Sequence, residues 1–492
     1  TSDIDLLDQP REWYYDKNSG ELYVWMDDNS NPNNRDINAR GYITTDYRNE
    51  DQLLRVNDSS FLNFNGITLH TGTFELWKST DIDFNECSFL YSGHNTHMLG
   101  ADALYDIGSN YENNHNSRGN FVGDVANMSV NISYRNSEFA YSYNTLLNHG
   151  KHGQDYLIEN CYFHNKPTGG GAVWTAGVAR GNVVSRLTAH TIGFGGIGKF
   201  GNGNNLKKDQ EGLVELAHIY DYHFHGDDAG IQVNRGSVAG LVLRNNWIHD
   251  LPGRNGIRFD GDPAGMRGTV NNNVMFNVKR GTRLKGDQHT VLNNLALDNT
   301  HVDIHVSHDK FYGYDDPDIK FTEDVFELYE NRADGRREGK DLHQGNHYSI
   351  VHNNLGNNNS IAPVINPDDI TNNISRSDFG QNVQNELRDP DNFDFRPKEN
   401  SLLIDQGTHI PGYTDNYLGD APDIGPYEYG DLNYWIPGYQ AKKASMPIAP
   451  NGSLTVKKDA DLMWLEGRDA VSSNIYFGTD ANTLELVSNQ EN

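Results

Sequence analysis

An apolar–x–Asn–Asn–apolar pattern recurs five times and constrains the fold more than any other feature of the chain. A period of about 20 to 30 residues carried by short strands is typical of a parallel β-helix, whose stacked coils bury one another's inward side chains. Asparagine suits the corners of such coils, because it tolerates left-handed backbone and its amide can bond to the amide on the next coil. We therefore predict an all-β fold, a parallel β-helix. Complete copies of the pattern begin at Leu243, Val270, Val291, Val351 and Ile370, and a looser copy begins at Leu157.

The two cysteines are too few for a disulfide framework. Cys87 and Cys161 are 74 residues apart, which is near three coils. Three coils span on the order of 14 Å along the solenoid axis, and this separation exceeds the reach of a disulfide. We predict that both are buried thiols in the core.

Changes of pattern along the chain predict four regions. Two apolar runs on either side of Asn18 and Gly20 predict a β-hairpin near the start. The segment 308–346 interrupts the coil period and contains the most helical stretch of the sequence, so we expect it to project as an inserted loop. The predicted regions are an N-terminal cap at 1–55, the β-helix at 56–385, a C-terminal cap at 386–445 and a partial fibronectin-like β segment at 446–492.

The charge balance limits the classes of partner. Lys and Arg total 40 against 68 Asp and Glu, a formal net charge of −28, which argues against nucleic acid and anionic membranes as ligands. No window approaches 18 consecutive apolar residues, so we predict no transmembrane helix. The opening residues have neither the basic nor the apolar part of a signal peptide. A soluble, acidic, turn-rich chain fits a secreted, cell-surface or periplasmic protein, and we expect a monomer.

Three seven-residue segments align at offsets of 26 and 25 residues, and they span 230–236, 256–262 and 281–287. Because side chains alternate along a strand, one set should point into the core. This set is Ile231, Val233, Ile257, Phe259, Thr282 and Leu284. The other side chains should face outward in three columns, which are Gln232–Arg258–Arg283, Asn234–Asp260–Lys285 and Gly236–Asp262–Asp287.

The outward acids are the candidate catalytic groups. Residues two apart on a strand are about 6–7 Å apart and neighbouring coils about 4.8 Å apart, so Asp260, Asp262 and Asp287 should lie close together. Carboxylates at such distances do not all ionise readily, and we expect the pKa of one to rise. A protonated carboxyl beside an ionised one is the pair that hydrolyses glycosides. We assign Asp260 as base or nucleophile and Asp262 or Asp287 as acid, with Asp228 in reserve.

The same region is locally rich in cations. Residues 199–310 hold 13 Lys and Arg and 13 acids, whereas the other 380 residues hold 27 and 55. A neutral region on an acidic chain suits an anionic ligand, and arginine binds planar sulfate or carboxylate groups through two hydrogen bonds. Aspartate beside glycine is also ordinary turn chemistry, so a structural role is the alternative for each acid. We predict that substrate binds to Arg258, Arg283, Lys285, Arg235, Gln232, Lys199, His225 and His289.

Metal and cofactor signals are weak. His223 and His225 lack the further ligands of a zinc spacing. The aspartate-rich stretch 389–394 lacks the spacing of a calcium-binding EF-hand. We expect no cofactor and no catalytic metal, and a structural calcium stays open.

The sequence resembles right-handed parallel β-helix carbohydrate-active enzymes of marine bacteria. The resemblance lies in EWYYDKNSGELYVW near the start, in DDAGIQVNRG, NGIRFDGD and RGTRLKGDQHTVLNN along the coils, and in DFRPKENSLLIDQG and PDIGPYEYG near the end. Families of this shape include endo-fucanases, iota-carrageenases, β-helix fucosidases and xylanases, and alginate or chondroitin lyases. The resemblance implies an endo-acting glycoside hydrolase on a sulfated algal polysaccharide, with a sulfated fucan as the first choice and a carrageenan as an alternative.

Two other functions stay open. Alginate and chondroitin lyases on this scaffold resemble one another in using a lysine base on one coil and an arginine on the next. Asp260 and then Lys285 occupy the comparable positions here, which favours hydrolysis over a lyase that acts on a uronate polymer. The other alternative is a non-catalytic glycan-binding solenoid, which would bind a polymer without shortening it.

Overall fold

The structure, a computed structural model, consists almost entirely of β-strands. It opens with an antiparallel hairpin of β1 (Trp13–Asp16) and β2 (Glu21–Val24), at the position that the sequence predicts. Gly20 ends the turn between them with a φ of 73°, a backbone region that favours glycine. The inserted loop predicted at 308–346 lies outside the described residues. The structure describes residues 4–8, 10, 13–16, 18–35, 52–92, 120–122, 128–142, 145–149, 154–166, 173–177, 182–192, 197–200, 212–222, 229–237, 240–286, 288–307, 349–362, 369–480 and 482–491.

The next strands are parallel and form a solenoid. In chain order they are β3 (Gln52–Asn57), β4 (Ser60–Asn65), β5 (Thr68–His70), β6 (Thr73–Trp77), β7 (Thr80–Asn85), β8 (Ser88–Leu90), β9 (Asn120–Val122), β10 (Val130–Arg135), β11 (Glu138–Ala140), β12 (Leu147–Asn148), β13 (Gln154–Glu159), β14 (Tyr162–Lys166), β15 (Val173–Gly177), β16 (Asn182–Ser185), β17 (Thr188–Ile192), β18 (Ile197–Phe200), β19 (Gly212–Glu215), β20 (His218–Tyr222), β21 (Ala229–Ser237), β22 (Leu241–Arg244), β23 (Trp247–Met266), β24 (Thr269–Asn271), β25 (Val274–Leu284), β26 (Thr290–Leu292), β27 (Leu295–Leu297), β28 (His305–Val306), β29 (Ile350–His352), β30 (Leu355–Gly356), β31 (Ser360–Ile361) and β32 (Ile370–Thr371).

Strand pairing divides the solenoid into three faces. Face A contains β4, β7, β10, β13, β16, β19, β22, β24, β26, β29 and β32. Face B contains β5, β8, β11, β14, β17, β20, the first parts of β23 and β25, β27 and β30. Face C contains β3, β6, β9, β12, β15, β18, β21, the second parts of β23 and β25, β28 and β31. The chain visits faces A, B and C in turn and then starts the next coil, so the predicted parallel β-helix is confirmed.

The repeated asparagine pairs form the corner between faces A and B. The first asparagine of each pair has left-handed backbone, with φ between 52° and 57°. The second asparagine donates from its amide nitrogen to the amide oxygen on the next coil, over 2.7 to 2.9 Å. The corner therefore satisfies its own polar groups, as the sequence predicts. This asparagine ladder consists of Asn246, Asn273, Asn294, Asn354 and Asn373.

Inward side chains fill the solenoid with a continuous hydrophobic core. Cys87 and Cys161 are both free and buried there, as predicted. They are two coils apart rather than three, because Ser137 occupies the coil between them. The residue spacing misleads here: Ser137 follows Cys87 by 50 residues, whereas Cys161 follows Ser137 by only 24. Two coils span about 10 Å, which is still beyond the reach of a disulfide.

The chain after the solenoid packs on the outer side of face B. Trp247 of β23 is fully buried in a second hydrophobic core there, and its indole N–H donates to the Tyr427 hydroxyl over 3.0 Å. The segment also reaches the turn after β13, where Asn160 Oδ1 accepts from the backbone N–H of Gln440 over 2.6 Å. The elements of the segment are α1 (Arg376–Phe379), β33 (Leu387–Asp389), β34 (Asp394–Pro397), β35 (Ser445–Ile448), β36 (Met463–Leu465), β37 (Ser472–Phe477) and β38 (Glu485–Glu491).

The remaining regular structure is short. The strands after β32 pair as antiparallel hairpins, β33 with β34, β35 with β36 and β37 with β38. Single 3₁₀ turns occur at Ile4–Leu6, Pro32–Asn34, Val383–Glu386 and Pro390–Asn392. Within the ranges given above, no helix has the length and apolar character that a bilayer crossing needs.

Candidate active site

The three aligned sequence segments lie side by side on face C, in β21, β23 and β25. Gln232 pairs with Arg258, and Arg258 pairs with Arg283, in parallel register. Asn234 pairs with Asp260, and the backbone N–H of Lys285 donates to the Phe259 carbonyl over 3.2 Å. The predicted register of the first two outward columns is therefore confirmed. The six inward residues are fully buried, as predicted, and they are Ile231, Val233, Ile257, Phe259, Thr282 and Leu284.

Glycines at the corner between faces B and C allow these strands to stack closely. A Cβ on Gly256 would lie 2.5 Å from the carbonyl oxygen of Gly281, and a Cβ on Gly281 would lie 2.5 Å from that of Asp303. Contacts that short do not occur between real Cβ and oxygen atoms, so a larger residue would push the coils apart. The glycines thus set the spacing of the residues that follow them.

Asp260 lies between two cations. The Arg258 guanidinium, two residues earlier on the same strand, donates to its Oδ2. Lys285 Nζ, on the next coil, lies 3.0 Å from its Oδ1. The side chains of Arg258, Asp260 and Lys285 are 5%, 17% and 11% exposed. Water screens ion pairs only weakly at such burial, so both cations stabilise the ionised carboxylate.

Arg283 and Gln232 complete a group that we call the face C cluster, which consists of Gln232, Arg258, Asp260, Arg283 and Lys285. Among these side chains, three cations accompany one carboxylate. The chain as a whole carries a formal charge of −28. Among the side chains that the structure describes at this place, cations outnumber acids, and such a group suits an anionic ligand.

The third predicted column, Gly236–Asp262–Asp287, is wrong at its first step. The pairing of β21 and β23 shifts after Asn234, and Gly236 pairs with Gly265 rather than with Asp262. Five residues separate Asp260 from Gly265, whereas two separate Asn234 from Gly236. β23 therefore carries three extra residues at this step, and regular alternation does not determine where Asp262 points.

Other predicted site residues have no described side chain, and their roles stay predictions. Three of them lie on strands whose backbone is described, namely Lys199 in β18, Arg235 in β21 and Asp262 in β23. Three more lie outside the described residues altogether, namely His225, Asp228 and Asp287.

His289 was predicted to bind substrate, but the structure places it in the core, fully buried. Its Nε2 lies 2.8 Å from the carbonyl oxygen of Lys285, and its Nδ1 lies 3.4 Å from the backbone N–H of Gly268. Burial lowers the pKa of His289 to about 4. Both ring nitrogens face backbone groups, so His289 does not contact a ligand on the outer face.

Two residues that the sequence did not indicate extend the outward columns by one coil. Leu284 pairs with Val306, which places His305 beside Arg283 and Ser307 beside Lys285. The backbone N–H of Ser307 donates to the Leu284 carbonyl over 2.8 Å. The sequence does hold a signal for this coil: the apolar pair Ile304 and Val306, which is buried, follows Thr282 and Leu284 by 22 residues.

A carboxyl group with a shifted pKa lies near the cluster but belongs to the scaffold. Burial raises the pKa of Asp303 to about 6. Its Oδ1 accepts from the Asn299 amide over 2.7 Å, and its Oδ2 accepts from the backbone N–H of Asn358 over 2.9 Å. With both oxygens engaged in a corner between coils, Asp303 stabilises the stacking that carries β28.

No family model matches this chain, and no curated protein matches it. A search of solved structures finds a likeness to the crystal structure of pectate lyase Pel9A, with a TM-score of 0.37 and 14% sequence identity. The likeness covers 76% of this chain and 87% of that chain. The fold follows from the strand pairing, and the candidate site follows from its own geometry.

Proposed function

We propose that this chain is a secreted or cell-surface endo-acting glycoside hydrolase that cleaves an anionic polysaccharide, with a sulfated fucan as the first substrate to test. The observation that most directly supports the proposal is Asp260, a carboxylate held between Arg258 and Lys285 on face C. A carboxylate in contact with two cations suits chemistry on a sugar, and the cations beside it suit binding of the anionic groups of a polymer. The proposal includes a monomer and requires no cofactor.

The surroundings of Asp260 favour one of the two carboxyl roles in glycoside hydrolysis. Two adjacent cations stabilise its charged form, so Asp260 serves as base or nucleophile rather than as acid. A second carboxyl must then protonate the leaving oxygen. Asp262, Asp287 and Asp228 are the candidates for that acid, and the distance from Asp260 to the working acid sets inversion or retention.

The cations of the cluster would bind the anionic groups of the polymer. Arg258 and Arg283 stand on neighbouring coils in paired positions, about 4.8 Å apart. Each guanidinium presents parallel N–H donors that match two oxygens of a sulfate or carboxylate. The column therefore suits a chain that carries negative groups on consecutive sugars.

A polysaccharide lyase is the second candidate, because Lys285 and Arg283 bring a lysine and an arginine together on face C. A lyase base must release its proton before it abstracts one from the sugar. Lys285 Nζ lies 3.0 Å from Asp260 Oδ1, so the amine is already engaged in an ion pair that a base would have to leave. This contact favours hydrolysis over a lyase that uses Lys285 as base.

Incubation of the purified chain with a panel of polysaccharides tests these proposals. The panel contains sulfated fucan, carrageenan, alginate and pectate, with a desulfated form of each sulfated polymer as the matched control. Shorter products with new reducing ends and no ultraviolet absorbance support the hydrolase. Absorbance from a new double bond would instead establish a lyase. A polymer that binds without being shortened would indicate a glycan-binding solenoid and contradict both.

A further inference from the structure

His289 lies on the core side of the strands that carry the face C cluster. Its ring packs edge-on against Phe259, with ring centroids 4.8 Å apart, and Phe259 sits between Arg258 and Asp260 in β23. Its Nε2 lies 2.8 Å from the carbonyl oxygen of Lys285. One buried imidazole therefore contacts both chain segments that form the ion pair between Asp260 and Lys285.

The partners of the ring define its protonation. The Lys285 carbonyl can only accept, so Nε2 carries the proton, and the Gly268 N–H can only donate, so Nδ1 is the bare nitrogen. The backbone N–H of His289 donates in turn to Ser349 Oγ over 2.9 Å. Gly268, His289 and Ser349 lie in successive turns from face C to face A. The neutral residue thus joins three stacked turns beside the cluster.

We propose that His289 is a positioning residue of the candidate site: as a neutral donor to the Lys285 carbonyl, it fixes the backbone of Lys285 and thereby the contact between Lys285 and Asp260. Lys285 directly follows the last residue of β25, and its backbone N–H is still held by the Phe259 carbonyl of the neighbouring strand over 3.2 Å. The hydrogen bond from His289 restrains the other side of the residue, its carbonyl group. The inference rests on the proposed function, because this contact matters for catalysis only if face C is the active site.

The neutral ring gives the arrangement a defined response to acid. Among the described residues, the charged groups on the segments around the ring are Arg258 and Asp260 beside Phe259, Arg267 beside Gly268, and Lys285 itself; Asp287, two residues before His289, lies outside the described residues. A proton on Nδ1 would face the Gly268 N–H, so both groups would be donors. Burial lowers the pKa of the ring from 6.5 to about 4. The contribution of the neutral His289 ring to the stability of the fold is therefore complete above about pH 6.5 and is lost as the pH falls towards 4.

Two variants separate positioning from simple core packing. His289→Gln keeps a donor and an acceptor, whereas His289→Leu fills the space with neither. His149→Leu is the matched control, because His149 is also a fully buried core histidine and its ring contacts Tyr134 and Tyr156 instead of the cluster. The measurement is the rate at which an amine-specific reagent modifies Lys285 in the full chain, followed by mass spectrometry at neutral pH.

We expect His289→Leu to raise the Lys285 modification rate about fivefold, the change in equilibrium that one buried hydrogen bond typically gives. His289→Gln and His149→Leu should stay near the wild-type rate. An unchanged rate in His289→Leu overturns the proposal. An equal rise in His149→Leu overturns it as well, because the effect would then be general loosening of the core.

Enzyme assays provide a second reading on any polysaccharide that the wild-type chain cleaves. A misplacement of about 1 Å in an active site costs on the order of 100-fold in rate, so His289→Leu should lose kcat throughout the pH range. His289→Gln should keep kcat near neutrality and retain activity to lower pH than the wild type. If kcat of His289→Gln falls at the same acidic pH as kcat of the wild type, His289 does not cause the loss of activity in acid. If the wild type cleaves no polysaccharide, the proposed function fails, and the Lys285 modification rates still decide whether His289 positions this residue.

Discussion

Two columns of polar side chains run along this solenoid, and they are built on opposite rules. In the asparagine ladder one residue type repeats, and Asn246, Asn273 and Asn294 pass amide hydrogen bonds of 2.8 to 2.9 Å from coil to coil. Each amide is both donor and acceptor, so a column of identical residues satisfies itself. The face C cluster instead brings unlike groups together, and its cations outnumber its carboxylate.

This difference separates structural from functional polarity in a repeat fold. Burial alone does not distinguish the two kinds of column, because Arg258 is only 4% exposed and Asn246 is fully buried. The composition of the column separates them. Identical amides satisfy one another, whereas the described side chains of the face C cluster mix cations with a carboxylate, a combination that suits an anionic ligand. Changes in the cluster should therefore affect catalysis and binding, and changes in the ladder should affect stability.

Asp260→Asn should give the largest effect. The amide keeps the shape of the side chain but loses the charge that a base or nucleophile needs, so we expect kcat to fall by about 10²- to 10⁴-fold. Initial rates of reducing-end release on the cleaved polysaccharide measure this, with thermal melting as a check on folding. The matched control is Asp83→Asn on face A, where Arg135 pairs with a carboxylate that is 24% exposed. Comparable losses in both variants would mean that any broken ion pair lowers the rate, and Asp260 would lose its chemical role.

Arg258→Ala should mainly weaken the binding of anionic substrate. A hydrogen bond to a charged group contributes about 1.5–3 kcal/mol, so we expect Kd for a sulfated oligosaccharide to rise about 10- to 100-fold. Calorimetric titration with sulfated and desulfated forms of one oligosaccharide measures it. Arg135→Ala on face A controls for the loss of a surface charge. If Arg258→Ala raises Kd for the desulfated oligosaccharide as much as for the sulfated one, Arg258 does not recognise the anionic group.

Asn294→Ala should lower stability and leave catalysis intact. Asn294 Oδ1 accepts from the backbone and side chain of Asn273, and its Nδ2 donates to the Val270 carbonyl and to Asn354. Each buried group left without a partner costs about 1–3 kcal/mol, and urea denaturation measures the sum. Asn65→Ala, at an exposed asparagine of face A, should change stability little. A loss of kcat/KM at unchanged stability would remove the distinction between the two columns.

The sequence predicts the ladder and two columns of the cluster because each contains residue types that fit a particular backbone geometry. Asn353 and Asn372 mark a left-handed corner, and Gly256 and Gly281 mark a close approach of coils. From such fixed points, alternation gives the direction of the next few side chains. Prediction stops where the count of residues per coil changes, as it does after Asn234.

The wrong prediction for His289 and the omission of His305 have related physical causes. His289 lies in a turn, where no alternation applies, and its direction depends on backbone partners in neighbouring turns that the sequence does not display. His305 begins a strand of only two residues, which is too short for a pattern. In both cases the contacts that decide the position come from other coils.

His305→Gln should give the smallest effect, and it tests where the mixed column ends. His305 is half-buried beside Arg283 on the following coil. A partly exposed polar contact at the rim of a site contributes about 0.2–1 kcal/mol, so Kd for a long sulfated oligosaccharide should rise by less than about fivefold. Oligosaccharides too short to reach from Arg258 to His305 should bind as they do to the wild type. The control is His301→Gln, at an exposed histidine nearby in sequence. An equal rise of Kd in this control would place the end of the column at Arg283. An equal rise of Kd in His305→Gln for short and long oligosaccharides would place His305 inside the central site.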